Sequence, residues 1–344
     1  MHSNKGRFVQ GGLFICLLPD EIVHYHRTAR LAANHQKTQH HQENNMQKTI
    51  LILFMSISML TGQESTDFTL TGTLQTAKLE EISGIQIFSR SDSLLWGIND
   101  SGNAPELFIF TSTGNLIHTF TILNAVNTDW EDISGFRQND QAFLAIADIG
   151  DNRAVRPECK IYILREPTPD QSIQSITPQR VIRYRYPDGP RDAEALAVDQ
   201  AGESILICSK RAAPPAIYRL PLNAKSDTFY TAEKITDLYG MPQPKDSQFF
   251  LDRLQWQPTA MDINSESTVC CILTYGHLLF YRRGINESWK SALQNQPATK
   301  MIPLMQQAES MCLTAKGHSV YITSEKIPAP LFNFQFTQSF LSEY

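Results

Sequence analysis

The sequence predicts an all-β fold, a single β-propeller of about five four-stranded blades. Three observations predict it: a repeat of acid-led strand pairs, short β-rich segments at even spacing, and the absence of any sustained helical period. Five segments share an acidic residue, an apolar strand, a turn and a second strand ending in polar residues. They open at Glu81, Asp132, Glu194, Asp262 and Glu309, at intervals of 51, 62, 68 and 47 residues. Propeller blades repeat about every 40–50 residues. The two long intervals therefore need insertions, which the Pro-rich stretches Glu166–Gln179 and Tyr239–Pro258 supply as long loops.

The strands follow in order. Second strands are predicted at Ser93–Asp100, Ala142–Asp148, Ser204–Lys210, Thr268–Tyr275 and Ser319–Glu325. Third strands are predicted at Glu106–Thr111, Lys160–Arg165, Ala216–Leu220, His277–Arg282 and Leu331–Phe336, and fourth strands at Leu116–Ile122, Arg180–Tyr186, Thr231–Asp237 and Ala298–Pro303. Segments of this length, β-rich and separated by Gly, Asn, Asp and Pro, read as blades. The fifth repeat ends after three strands, and the alternating segment Phe68–Leu74 has no blade of its own. Pairing the two would close the ring and cover an open sheet edge. A sixth, degenerate blade within Tyr239–Pro258 is the alternative.

The fold is expected to occupy residues 63–344. Residues 46–62 join a short basic start (Met46-Gln47-Lys48) to the mostly apolar run Thr49–Leu60 and then to small and polar residues. That is the plan of a secretory signal peptide, and the run is shorter than the roughly 20 residues a bilayer span needs. Residues 1–45, rich in His and Gln, fit no part of an export signal, so they are read as a leader ahead of the true start at Met46. The chain is accordingly expected to be exported, periplasmic or extracellular, a monomer, and without a transmembrane helix once processed.

The first 62 residues hold six Lys/Arg and three Asp/Glu, which leaves 24 basic and 32 acidic residues and a net charge of −8. That balance argues against a nucleic-acid partner, which demands a basic footprint. Five cysteines remain, an odd number without regular spacing, and four lie in apolar runs, so buried free thiols are expected. His118, His277 and His318 fall at no strand-one start, and His277 and His318 follow turns expected to face solvent. A Ser-His-Asp mechanism finds no candidate among them.

Strand direction places the acids. If strand one starts at one end of the channel, strand two ends there, so the two sets meet at one mouth. Glu81 should join Asn99 and Asp100; Glu131 and Asp132 should join Asp148 and Asp151. Asp192 and Glu194 should meet Ser209 and Lys210, Asp262 should meet Thr274 and Tyr275, and Glu309 should meet Ser324 and Glu325. Clustered carboxylates repel, so a cation, a basic side chain or protons must compensate them. Oxygen-only donors suit Ca²⁺, or Mg²⁺ or Mn²⁺ with more waters, and no organic cofactor is implied. Asp132, Asp148, Asp151, Glu194 and Asp262 are the expected metal ligands. Glu81, Asp100, Trp130, Glu131, Arg153, Lys210, Tyr275, Glu309 and Glu325 are the expected ligand contacts, with Lys210 or Arg153 steadying an anionic group. Two alternatives stand beside this. Each acid can instead cap its own blade by accepting neighbouring N–H groups, and Trp130 can be a core anchor.

Three motifs carry a resemblance: Asp-Trp-Glu-Asp-Ile (129–133), Asp-Ile-Gly-Asp-Asn-Arg (148–153) and Tyr-Pro-Asp-Gly-Pro-Arg-Asp-Ala-Glu-Ala-Leu (186–196). Over Leu79–Glu325 the chain resembles a family of uncharacterised secreted bacterial β-propeller proteins, which implies the fold and no activity. More remotely it is similar to calcium-dependent propellers such as gluconolactonases and propeller phytases, whose metals sit at the channel mouth; this likeness transfers no residue roles. Met261 departs from the family pattern, which has a small residue there. The functions expected are a metal-stabilised ligand-binding or scaffold module for a small-molecule, glycan or peptide ligand, or alternatively a metal-dependent hydrolase of lactones, esters or phosphoesters.

Overall fold

The computed structural model describes residues 67–242 and 253–342. The expected leader and signal segment lie outside them. Strand follows strand in antiparallel meanders that build five sheets. Blade 1 comprises β2 (Ile82–Phe88), β3 (Ser91–Asn99), β4 (Glu106–Thr111) and β5 (Leu116–Ile122). Blade 2 comprises β6 (Trp130–Gln138), β7 (Gln141–Asp148), β8 (Cys159–Arg165) and β10 (Arg180–Arg185). Blade 3 comprises β11 (Ala193–Asp199), β12 (Ser204–Ser209), β13 (Ala216–Pro221) and β15 (Glu233–Asp237). Blade 4 comprises β16 (Pro258–Ile263), β17 (Val269–Thr274), β18 (His277–Arg282) and β19 (Ala298–Met301). Blade 5 comprises β20 (Ala308–Leu313), β21 (Ser319–Ser324), β22 (Ala329–Gln335) and, from the other end of the described chain, β1 (Phe68–Leu74).

The ring closes as expected. β1 runs antiparallel to β22, Phe68 opposite Phe334 and Leu74 opposite Ala329, so the last blade takes its fourth strand from the first described residues. The described residues form five sheets, and part of the segment named for the alternative sixth blade, residues 243–252, lies outside them. Two strands were not foreseen. β9 (Ser175–Ile176), inside the insertion of blade 2, pairs in parallel with β5 of blade 1. β14 (Phe229–Thr231) leaves blade 3 and pairs in parallel with β10 of blade 2. The segment expected to be one fourth strand of blade 3 is therefore divided, with buried Ala232 at the crossing. Each strap covers a sheet edge that would otherwise be open.

The inner strands β2, β11, β16 and β20 are buried along their whole length, because neighbouring blades press on both faces. The blades meet through apolar layers: Trp96, Trp130 and Leu144 between blades 1 and 2, and Tyr184, Leu196 and Tyr218 between blades 2 and 3. Met261 packs between blades 3 and 4 with Leu206, Ile272 and Leu279, so its bulk fills the core and does not intrude on the funnel. Packing at the axis is close. A Cβ on Gly84 of β2 would stand 2.9 Å from the Ile133 N of β6, so the side chain is missing where two inner strands touch.

All five inner strands break register at the same place. One extra residue is inserted opposite the end of strand two: Ser83, Glu131, Glu194, Thr259 and Glu309. A bulge of this kind bends the strand and re-aims the inserted side chain. It also defines which residues of the five blades are equivalent, and this differs from the acid-led alignment of the sequence. Glu194 and Glu309 keep their places. Glu81 lies ahead of its bulge, Asp132 just after one, and Asp262 well beyond another.

Candidate functional site

Four of the five expected encounters occur at the mouth. The Asp100 N–H donates to the Glu81 carbonyl at 2.9 Å, Trp130 pairs with Asp148, the Lys210 N–H donates to the Asp192 carbonyl at 3.1 Å, and Ala308 pairs with Ser324. The fifth does not. Thr274 pairs with Pro258, while Asp262 lies opposite Cys271, deeper in the channel.

Asp132 and Asp262, both expected as metal ligands, form a hub between the blades in which backbone N–H groups take up their oxygens. Asp132 is fully buried. Its Oδ1 accepts the Ile133 N–H at 2.8 Å, and its Oδ2 accepts those of Leu196 at 2.8 Å and Met261 at 3.0 Å. One carboxylate thus joins blades 2, 3 and 4. Asp262 accepts the N–H groups of Ile263 and Leu313 at 2.9 Å each, and longer bonds from Ser134 Oγ and Gln86 Nε2 at 3.4 Å. Backbone donors occupy these carboxylates, which is the capping role. Burial still dominates their protonation: Asp132 is held well above the ordinary carboxylate range, and Asp262 is pushed up to about 7.

Above the hub, Lys210 is the buried cation of the mouth. Its Nζ lies 2.9 Å from Glu194 and 3.9 Å from Glu309, with the Tyr275 ring 5.2 Å away. Tyr275 donates its hydroxyl to Glu309 at 2.5 Å. Burial pushes Glu194 up to about 7 despite the ammonium, and the carboxylates keep Lys210 charged well above its ordinary range. Burial and the neighbouring Glu309 push Glu325 up to about 10. Glu194 is therefore an ion-pair partner of Lys210, which leaves it badly placed as a metal ligand.

The rim on the side of blades 2 and 3 has its own pairs. Asp148 Oδ1 accepts from Arg156 at 2.7 Å and from the Asp129 N–H at 3.2 Å; its buried Oδ2 has no partner. Asp151 accepts the Arg156 N–H at 2.7 Å. Asp192 takes the Arg211 guanidinium at 2.6 Å and the Asp151 N–H at 3.0 Å. Arg156 thus engages Asp148 with its guanidinium and Asp151 with its backbone N–H, where the sequence points to exposed Arg153 as the local cation. On the blade 1 side, Glu81 is paired with Lys326 at 3.2 Å and with Asn103 at 2.9 Å.

The Ser101 N–H donates to Asp100 and the Ser83 hydroxyl to Glu131 at 3.5 Å, while Arg156 and Lys210 act on Asp129 and Glu131 from beyond ion-pair distance. Asp100, Asp129 and Glu131 thus converge without an ion pair among the described residues. One carboxylate oxygen from each lies within 4.8 Å of the others. Asp100 follows β3 in blade 1, whereas Asp129 and Glu131 flank the start of β6, so the group spans a blade boundary. Burial pushes Asp100 up to about 7, with Asp129, Glu309 and Glu81 adding repulsion. Burial and then Glu194, Asp100 and Asp129 raise Glu131 well above the usual range, and burial raises Asp129. Of these three, Asp129 was noted only as part of a motif. The bulge that turns Glu131 to the mouth is a pairing irregularity with no signature of its own in the sequence.

Trp130 is fully buried in the layer between blades 1 and 2, and its indole N–H donates to the Val126 carbonyl at 3.2 Å, so it anchors the core, one of the two roles expected for it. His277 is buried and stacked on Trp256, centroids 4.0 Å apart, where a solvent-facing turn was expected. The five described cysteines are free and buried. Among the described residues no helix is long and apolar enough to cross a membrane.

No family model matches the chain, and no curated protein matches it. Among solved structures the chain is similar to the Myceliophteria thermophila Cps50 (Swd1) β-propeller domain. The TM-score is 0.38 at 11% identity, over 75% of this chain and 65% of that one. The chain thus spans just under two thirds of that structure's length.

Proposed function

We propose that this chain is an exported ligand-binding or scaffold module whose mouth holds a divalent cation of the Ca²⁺ type at Asp100, Asp129 and Glu131. One observation carries the reading: three carboxylates with one oxygen of each within 4.8 Å of the others, none of them in an ion pair among the described residues. Like charges at this spacing, one of them buried and two partly so, favour a proton or a cation between them. The donor set is all oxygen, the chemistry of Ca²⁺ or, with more waters, of Mg²⁺ or Mn²⁺. Gly150 presents no side chain, and the Asp129 and Glu131 carboxylates lie against its backbone. A bound cation would supply charge neutralisation and open coordination positions for a ligand oxygen. The chain's own residues hold those carboxylates in place, tie blade 1 to blade 2, and keep Lys210 apart in its own ion pairs. The ligand would be a small molecule, glycan or peptide at the mouth.

Thermal unfolding tests this. Calcium at about a hundred times its Kd contributes about 2.7 kcal/mol, which raises the melting temperature by several degrees. A chelator should reverse the rise, and an unchanged melting temperature would remove the cation reading.

A second reading, a metal-dependent hydrolase of lactones, esters or phosphoesters, is favoured by Glu194. A carboxylate poised at about 7 beside a buried ammonium has the proton affinity of a general base at neutral pH. Hydrolysis of such a substrate panel in the presence of Ca²⁺, lost in Glu194→Gln, would support it; no turnover leaves the binding module.

A further inference from the structure

Gly150 has no conformational reason to be glycine: its φ lies outside the left-handed region. The reason is spatial. A Cβ built there would overlap the Glu131 Oε1 and stand 2.5 Å from the Asp129 Oδ2, so two of the three mouth carboxylates rest against this one backbone position. The Gly150 N–H donates to the Asp129 carbonyl at 3.1 Å, and the Gly150 carbonyl accepts from Arg156 at 2.6 Å, so the backbone is pinned from both sides. The same Arg156 reaches Asp148, fully buried, which holds the Asp129 N–H with one oxygen and leaves the other unpartnered. Backbone and carboxylates are therefore arranged around an empty side-chain position.

We infer that Gly150 is a positioning residue for the mouth's cation, setting how closely the Asp129 and Glu131 carboxylates converge. The inference rests on the cation reading above and adds to it a residue that offers no ligand atom. The atoms nearest an added methyl group belong to the carboxyl groups of Glu131 and Asp129, which can rotate away from it. The same rotation separates the donor oxygens. Binding and folding are thus separable at this position, as they are not at Asp132.

The test is a calcium titration of the full chain and of Gly150→Ala by calorimetry, with the metal-free melting temperature of each. Changes that misplace metal ligands typically cost about 10- to 100-fold in affinity. Gly150→Ala should lose calcium affinity by that factor while its metal-free melting temperature stays that of the wild type. Glu131→Asp, one methylene shorter, should recover part of the affinity in the Gly150→Ala background, and this double variant keeps the test decisive if the single one is poorly folded. Equal calcium affinity in wild type and Gly150→Ala, or no recovery in the double variant, overturns the role of Gly150. No calcium binding by the wild type overturns the cation reading itself.

Discussion

Two groups of carboxylates share one channel and behave as opposites. At the hub, Asp132 accepts three backbone N–H groups from three blades, and Asp262 accepts two more. At the mouth, Asp100, Asp129 and Glu131 face one another with no ion pair among the described residues. The hub is buried and the mouth group partly so, Glu131 fully and Asp100 and Asp129 in part, and burial raises the proton affinity of both groups. The difference is in what they hold. A carboxylate saturated by backbone donors from several blades is part of the fold, whereas converging carboxylates that no ion pair neutralises favour a proton or a cation.

The largest effect should come from the hub. Asp132→Ala strands the Leu196 and Met261 N–H groups in the interior, at about 1–3 kcal/mol for each unsatisfied donor. Urea denaturation should show a loss of about 3–5 kcal/mol; a loss below about 1 kcal/mol would mean that water or neighbours replace the carboxylate.

Lys210→Met comes next. It leaves Glu194 and Glu309 buried without their cation, and breaking a buried pair costs about 3–5 kcal/mol. Without the ammonium, Glu194 binds its proton more tightly still, so the deficit against wild type should shrink as pH falls toward about 7 and level off below it. A pH-independent deficit would argue for lost packing alone.

A smaller effect separates the mouth by its pH dependence. Asp100 is raised from 3.8 to about 7, so the folded state keeps a proton that the unfolded state releases. Its contribution to stability is then fully present below pH 3.8 and is lost as pH rises toward 7. In metal-free protein, Asp100→Asn should flatten the fall in melting temperature across this window. Unchanged slopes in the two proteins would show that Asp100 is solvated. The smallest effect belongs to Arg153→Ala, expected within about 0.5 kcal/mol because the side chain is exposed. A larger change in its urea midpoint would assign Arg153 a partner at the mouth.

Much of the fold was legible because blade strands are short and alternate. Phe68–Leu74, Glu106–Thr111, Leu116–Ile122 and His277–Arg282 match the observed strands end to end. The straps β9 and β14 were not legible, since two or three residues of parallel pairing leave no period to detect. The mouth was legible as a region and not as a set of partners. Strand direction brings Glu309 beside Glu325 and Asp192 beside Lys210, but a bulge shifts every later side chain to the other face. That single inserted residue turns Glu131 toward the mouth and Asp132 into the hub, although the two are neighbours in the chain. Asp262 looked like another ring acid because its local sequence resembles a strand start, and register alone puts it deeper. Arg156 and Gly150 act through a loop whose path no periodicity records.

The account therefore turns on the mouth carboxylates and not on acidity in general. Its most direct test is a calorimetric calcium titration of metal-stripped wild type beside Asp129→Asn and Asp262→Asn. The account predicts one saturable site in wild type, its loss in Asp129→Asn, and its survival in whatever fraction of Asp262→Asn is folded. Calcium binding that persists in Asp129→Asn and vanishes in folded Asp262→Asn would contradict it.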